Sequence, residues 1–369
     1  MKKLVIIGAN DFQNQLILKA KSLGYETHVF AWRDGAVGEK NADYFYPISI
    51  VEKEEILEKC REINPVGICS IASDLATLTV NFVAEKLSLP CNATAFNNIQ
   101  TNKYAMRKAL SMAGVSCPKF VKVDNSSNFE ELLSDFSFPV IVKPTDRSGS
   151  RNIMKLDSLN GIEKAVKDAS ETSFEGKAII EEYLTGNEYS METITYNGTH
   201  HFLAITKKFT TGAPNFIETG HVQPSDLNDE LVAKAKKVVF KALDALKVTN
   251  SAGHSEFRVD DDGNVKIIEI GARMGGDCIG SDLVYLSTGN DFVKMVIDVA
   301  CGNKPEILKN PLQNKAEIKF LFTQDDIDAF DKFKELNADK IYRVSDFELE
   351  NLGNISDSSS RIGYYIIKN

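Results

Sequence analysis

The N-terminal part of the chain alternates short β-branched runs with stretches whose apolar positions recur at helical spacing. Residues 3–8, KLVIIG, read as a buried parallel strand. Leu16, Ile17, Ala20 and Leu23 follow at helical spacing, and Gly24 closes that helix. A strand is expected at 25–30, a helix rich in Glu and Lys at 52–63, an apolar strand at 66–72 and a helix at 75–87. This alternation predicts a parallel sheet with helices on both faces. Ligands of such sheets bind where strands end, here near Asn10, Asp11, Ser73 and Asp74. Gly8 stands without a GxGxxG fingerprint, so a dinucleotide site is not expected.

The middle of the chain has a different rhythm. Residues 98–113 are helical up to Gly114, and Pro118 and Pro139 punctuate two strands. The second of these, PVIVK at 139–143, ends on Lys143 and opens into the loop PTDRSGSRN. A strand at 152–156 and a helix at 161–169 precede near-consecutive strands at 177–182, 188–196 and 200–208, which predict an antiparallel sheet. Residues 209–226, with Gly212, Pro214 and Pro224, read as a long loop. After a helix at 228–246 comes HSEFRVDDDGNVKIIEIGARMGGD, residues 254–277, two strands turning at Asp261-Asp262-Gly263. A helix spans 291–301, and 313–369 reads as a small α+β unit with strands near 316–322 and 362–367.

Composition narrows the class. A chain of 369 residues implies two or three subdomains, and 43% hydrophobic with 26% charged content is ordinary for a globular protein. The net charge of −9 argues against a nucleic-acid surface. A nucleotide site remains open, because it needs only a few local cations. The six cysteines form no CxxC and no zinc pattern with the five histidines, as expected of buried, reduced thiols. The apolar run in MKKLVIIGAN is too short for a signal-peptide core, and no run of about 18 apolar residues occurs. A cytoplasmic enzyme without a membrane span is the expectation.

Four segments carry candidate chemistry. In the hairpin, a register that sets Glu256 beside Glu269 would make the two carboxylates repel unless a cation lies between them. Arg273 and the flexible pair Gly275-Gly276 follow, a set suited to Mg²⁺-nucleotide chemistry; an exposed acidic hairpin is the plainer alternative. In residues 144–150, small side chains let backbone N–H groups turn toward an anion, with Lys143 and Arg147 adding charge, although for the loop taken alone a plain surface turn is the favoured reading. The segment IIEEYLTGNEYSME, 179–192, offers backbone polar groups, an apolar slot and carboxylates, as a purine and a ribose diol require; a solvated acidic hairpin is the alternative. Lys103 sits on an amphipathic helix with Met106, Leu110 and Met112 and gains meaning only in combination.

In order, Lys103, Lys143 with its Ser/Gly loop, Glu181 to Glu188, Glu256, Glu269 and Arg273 resemble the ATP-grasp superfamily in its carboxylate–amine ligase branch. The wording of GHSEF and EIGARMGGD is similar to the L-amino-acid ligase group. The resemblance implies an α/β N-terminal parallel-sheet domain at 1–97, an α+β ATP-grasp domain at 98–302 with a lid subdomain at about 115–187, and a small C-terminal α+β subdomain at 303–369. It places Lys103 and Lys143 on ATP phosphates and Ser148, Gly149 and Ser150 in the loop that closes over them. Glu181 would lie near the adenine amino group, the backbone of Glu182, Tyr183 and Leu184 along the purine edge, and Glu188 on the ribose. Glu256 and Glu269 would hold one or two Mg²⁺ ions, with Mn²⁺ as an alternative, and Arg273 and Lys143 would serve catalysis. Around Phe216, the residues Glu218 and His221, together with His254, Gly275 and Gly276, would face the substrates; for each histidine a structural role is the competing reading. Many relatives carry Asn two residues after the second metal Glu, where this chain has Gly271, so a third metal ligand would come from water, phosphate or elsewhere.

The function so implied is ATP-dependent ligation of an amino acid or small carboxylic acid to an amine through an acyl phosphate, releasing ADP and phosphate. Its partners would be small molecules, with a homodimer expected from the family and neither nucleic acid nor membrane involved. The alternatives are a carboxylase or purine-pathway ligase using carboxyphosphate, a nicotinamide oxidoreductase, and a non-catalytic nucleotide-binding module.

Overall fold

The computed structural model describes residues 1–149, 151–214, 216–353 and 358–368. Four parallel strands form the N-terminal sheet: β1 (Lys2–Ile7), β2 (Tyr25–Phe30), β3 (Tyr44–Tyr46) and β4 (Gly67–Cys69), in the order β3-β2-β1-β4. Leu4 to Ile7 are fully buried, as a strand covered on both faces demands. β3 and the short helix Val37–Asn41 were not apparent from the hydrophobic pattern.

A second, antiparallel sheet holds β5 (Phe120–Val123), β6 (Val140–Pro144), β7 (Met154–Leu156) and β8 (Ala178–Glu182), in the order β5-β8-β6-β7. The helix Ile162–Thr172 packs Ala165, Val166 and Ala169 against Val140, Val142 and Ile180 of this sheet.

The third sheet has eight strands. β9 (Asn187–Tyr196), β10 (Thr199–Thr210), β11 (Glu218–Gln223), β12 (Ser251–Val259), β13 (Val265–Gly271), β14 (Ala316–Leu321), β15 (Ile341–Val344) and β16 (Gly363–Lys368) run in the order β13-β12-β9-β10-β11-β14-β16-β15. Two features differ from the sequence pattern. Residues 218–223 are a strand rather than loop, paired with β10 on one side and β14 on the other. The polar run ETGHVQ has little β propensity of its own, and pairing on both edges overrides it. The tail strands β14, β16 and β15 extend this sheet instead of closing a sheet of their own.

Two-residue periodicity sorts the central strands. Tyr189, Met191, Phe257 and Ile267 face the helix Asp229–Ala245 and a core completed by Val239, Ala242 and Leu243. The alternate residues, Glu188, Ser190, Glu192, His254, Glu256 and Arg258, therefore point to the other face. The helix Phe292–Ala300 packs between the N-terminal sheet and the central strands, in one core with Leu4, Ile6, Ile194 and Ala252. This core ties the two sheets together and fixes the walls of the cavity between them. Among the described residues no helix is long and apolar enough to cross a membrane.

Candidate active site

The polar face of β9, β10, β12 and β13 opens into a cavity of about 370 Å³, roofed by the second sheet and bounded by the start of the N-terminal helices. Strand register builds it. Glu256 pairs with Glu269 across the hairpin, and His254 with both Gly271 and Glu192. Lys208 pairs with Glu188, and so does Arg258. Register partners share a face, so these side chains are forced together. The hairpin turn is fixed by Asp260, whose side chain accepts hydrogen bonds from the amides of Asp262 and Asn264.

The facing carboxylates Glu256 and Glu269 are each met by an ammonium. Lys103 Nζ lies 2.8 Å from Glu269 Oε1 and donates to Arg147 O at 2.7 Å, which joins the hairpin to the 144–149 loop. Asn102 caps the helix Lys103–Met112 by accepting from Ala105 N, so Lys103 projects from its first turn. Lys208 contacts Glu256 directly, with Glu218 at 3.6 Å and Glu188 at 3.7 Å. Burial opposes the Lys208 charge, but Glu256, Glu218 and Glu188 outweigh it and hold the ammonium above the usual lysine range. Burial would raise the Glu256 carboxyl; Lys208 and then His254 hold it well below the usual carboxylate range.

One strand away, Glu192 Oε1 lies 2.6 Å from His254 Nδ1, and His254 Nε2 lies 3.4 Å from Glu256 Oε1. Burial disfavours the imidazolium, yet Glu192 and Glu256 push its pKa up to about 9. Gly275 makes room for this pair, since a Cβ there would come within 2.6 Å of His254 Nδ1.

On the opposite wall, Lys143 Nζ lies 2.7 Å from Glu181 Oε2 and Arg107 Nε 2.6 Å from Glu181 Oε1. All three are buried. Burial would raise the Glu181 pKa, but Arg107 and Lys143 hold it at about 2. Burial pulls the Lys143 ammonium below the usual lysine range; Glu181 opposes the shift and the nearby Arg107 charge adds to it. Beyond Glu181, the Glu182 and Tyr183 amides donate to Lys119 O and Pro139 O, and Arg258 donates to Leu184 O, Tyr183 Oη and Glu188.

Arg273 sits at the junction with the N-terminal sheet. Its Nε lies 2.9 Å from Asp74 Oδ1 and its Nη2 3.1 Å from Asp74 Oδ2. Asp74 opens the helix Asp74–Lys86, capped by Ser73. Gly271 lets the guanidinium lie there: a Cβ at 271 would meet Arg273 Cζ at 3.0 Å. At the far end, Arg361 binds Asp277 through Nη1–Oδ1 (2.8 Å) and Nη2–Oδ2 (3.0 Å) and reaches Glu218 at 3.1 Å. Asp277 and Cys278 both adopt left-handed backbone, φ 52° and 59°, a costly conformation for residues with a Cβ.

Lys103, Lys143, Ser148, Gly149, Glu181 to Leu184, Glu188, Glu218, His254, Glu256, Glu269, Arg273 and Gly276 all line this one cavity. Ser150 lies outside the described residues. His221 is brought near but not in: it is fully buried behind the wall, 3.4 Å from Asp277 Oδ2 and edge-on to Phe320. Arg107, Lys208 and Arg258 also line the cavity, and Glu192 and Arg361 pair with residues of its wall, although no motif assigned them a role; Asp74, expected only as a strand-end ligand position, pairs with Arg273. Arg107 left a signal, lying one turn from Lys103 on the same helix face.

Two facing carboxylates are a donor set that fits a hard divalent cation, since Mg²⁺ commonly takes one or two carboxylates and completes its shell with water and phosphate. Each of the two carboxylates is already in contact with an ammonium, Lys103 on Glu269 and Lys208 on Glu256. Among the described residues no group of three or more His, Cys, Asp or Glu side chains forms a self-sufficient metal cage.

Residues 136–282 match the family model of the ATP-grasp domain. The alanine–anticapsin ligase of Bacillus subtilis is 27% identical over 308 residues, covering 74% of this chain and 65% of the relative. The chain thus spans just under two thirds of that relative's length. The crystal structure of an L-amino acid ligase from Bacillus licheniformis superimposes with a TM-score of 0.79 at 21% identity, covering 100% of this chain and 93% of that one. An N5-carboxyaminoimidazole ribonucleotide synthetase solved as its ADP complex gives 0.80 at 17% identity, covering 100% and 92%. The matched stretch supplies most of the side chains that line the cavity just described, and over residues 136–282 the chain is similar to the ATP-grasp domain.

Proposed function

We propose that the protein is an ATP-dependent carboxylate–amine ligase that activates an amino acid or small carboxylic acid as an acyl phosphate. The observation that carries this reading is the single cavity in which Glu256 and Glu269 face each other among Lys103, Lys143, Lys208 and Arg273. A binding-only module has no need of this much positive charge around paired carboxylates. The ADP complex of the superimposed synthetase supports a nucleotide in the same fold.

The residues divide the work. With the Glu182 and Tyr183 amides committed to the main chain, a purine edge would be read at Leu184. Glu188, steadied by Arg258, would hold the ribose, and Lys103 and Lys143 the phosphates. Glu256 and Glu269 would hold Mg²⁺ or Mn²⁺, which when bound supplies neutralisation of phosphoryl charge. Gly271 adds no side-chain donor, so the remaining ligands would be water and phosphate. The substrate carboxylate attacks the γ-phosphorus, ADP leaves, and an amine then displaces phosphate from the acyl carbon. Arg273 would neutralise the transferred phosphoryl group and the later oxyanion, aimed by Asp74. Lys103, tied to Arg147 O, would draw the 145–151 loop over the site and exclude the water that hydrolyses an acyl phosphate. The second sheet would form the lid subdomain, about 115–187. Glu218, His254 and Gly276 would border the substrates, both small molecules.

The test is ADP formation that requires a carboxylate and an amine together, screened over pairs of amino acids and small acids with mass analysis of the product. Release of AMP and pyrophosphate would sink the acyl-phosphate scheme. Bicarbonate-dependent ADP formation without an organic acid would assign the carboxyphosphate chemistry instead.

A further inference from the structure

Lys208 is counted in the cavity's positive charge, yet the ligase scheme assigns it no step. It is buried on β10, and carboxylates from three other strands converge on its ammonium: Glu188 from β9, Glu218 from β11 and Glu256 from β12. Each of them has a second cation of its own. Arg258 lies 3.0 Å from Glu188, Arg361 3.1 Å from Glu218 and His254 Nε2 3.4 Å from Glu256. Lys208 is therefore not needed to pair any one carboxylate; it sits where three of them meet. Its direct contact is with Glu256, whose cross-strand neighbour is Glu269. An ammonium and a divalent ion on one carboxylate repel each other at low dielectric unless further negative charge lies beside them.

We propose that Lys208 is a positioning residue acting as the resident counter-cation of Glu256, so that a divalent ion enters this site only together with a nucleotide's phosphates. The inference rests on reading Glu256 and Glu269 as metal ligands. In the nucleotide-free protein Lys208 supplies the positive charge that the facing carboxylates demand. Phosphates bring enough negative charge to hold the ammonium and the metal side by side. Lys208 need not travel to release Glu256, because Glu218 and Glu188 already lie within 3.6 and 3.7 Å of its Nζ.

The experiment is a Mn²⁺ titration followed by electron paramagnetic resonance, with thermal unfolding in parallel. It uses the full chain as wild type, Lys208→Met and the double variant Lys208→Met/Glu256→Gln. The wild type is expected to bind Mn²⁺ tightly with ADP and at least about tenfold more weakly without it. Lys208→Met is expected to gain at least about tenfold in affinity for Mn²⁺ alone, with a Tm that rises on adding the ion. The double variant should lose both gains. A single variant without the gain, or a double variant that keeps it, overturns the proposal. Where Lys208→Met folds too poorly to titrate, the wild type decides: equal Mn²⁺ affinity with and without ADP overturns it. Glu256→Gln in the otherwise unchanged chain separates the two readings. If it abolishes Mn²⁺ binding with ADP while Lys208→Met shows no gain, the metal assignment stands and only the counter-cation role falls. If it leaves that binding intact, both fall.

Discussion

Arg273 and Asp74 form a two-pronged ion pair, Nε–Oδ1 2.9 Å and Nη2–Oδ2 3.1 Å, across 199 residues of sequence. The pair links the end of β13 to the first turn of a helix on the N-terminal sheet. Asp74 fixes the direction of a guanidinium that would otherwise sweep the cavity. Arg273→Ala should leave nucleotide binding near wild type, read by calorimetry, and lower kcat by on the order of 10²–10³. Asp74→Ala should lower kcat less, and its loss of stability in urea should reach roughly 3 kcal/mol, because a mostly buried guanidinium is left unpaired. Undiminished turnover in Arg273→Ala would remove that residue from the mechanism.

A side chain at Gly271 is expected to act through Arg273, the residue it would press on. A Cβ would stand 3.0 Å from Arg273 Cζ and push the guanidinium off Asp74. Gly271→Asn, which places a metal-binding amide at this position, should therefore lower kcat by about tenfold or more, a barrier change of about 1.4 kcal/mol. A rise in activity or in apparent Mg²⁺ affinity would show that the arginine adapts.

Gly275→Ala tests the Glu192–His254 pair. The added methyl would come within 2.6 Å of His254 Nδ1. Overpacking of this kind costs about 1–3 kcal/mol, measurable as a lower denaturant midpoint. The imidazole should be displaced from Glu192, so its NMR-detected pKa should fall from about 9 toward the ordinary histidine value. An unmoved imidazole titration would show that the backbone gives way instead.

Acid stability should report on Glu181. Its carboxyl titrates at about 2 in the folded chain against an ordinary value of 4.5. A depressed folded pKa adds stability that is complete above the unfolded value and is lost as pH falls from about 4.5 through about 2. The amount is on the order of 3 kcal/mol. Urea midpoints measured across that window should fall with pH, and Glu181→Gln should flatten the fall while lowering stability at neutral pH. An acid limb of unchanged steepness in the variant would assign the effect to other carboxylates.

Much of the site could be read along the chain. Glu256 and Glu269 lie on one hairpin, whose turn fixes their register locally, so their facing arrangement follows from a short stretch of residues. The alternation of Tyr189 and Met191 with Glu188 and Glu192 likewise assigns a core face and a polar face without further information. Lys103 and Lys143 were legible only because they recur in order with these motifs.

Residues brought in from a distance were not legible. Lys208 meets Glu256 across 48 residues, Arg107 meets Glu181 across 74, and Asp74 meets Arg273 across 199. Local spacing carries no record of such pairs. The same holds for ETGHVQ at 218–223, a strand only because β10 and β14 flank it. The sequence by itself determined the alternating elements, the hairpin with its two carboxylates and the polar face of the central strands, all consequences of periodicity and short-range turns. Only the tertiary structure decided which cation each carboxylate holds. Ion pairing depends on through-space distance and shared burial, and the order of strands in the sheet sets both.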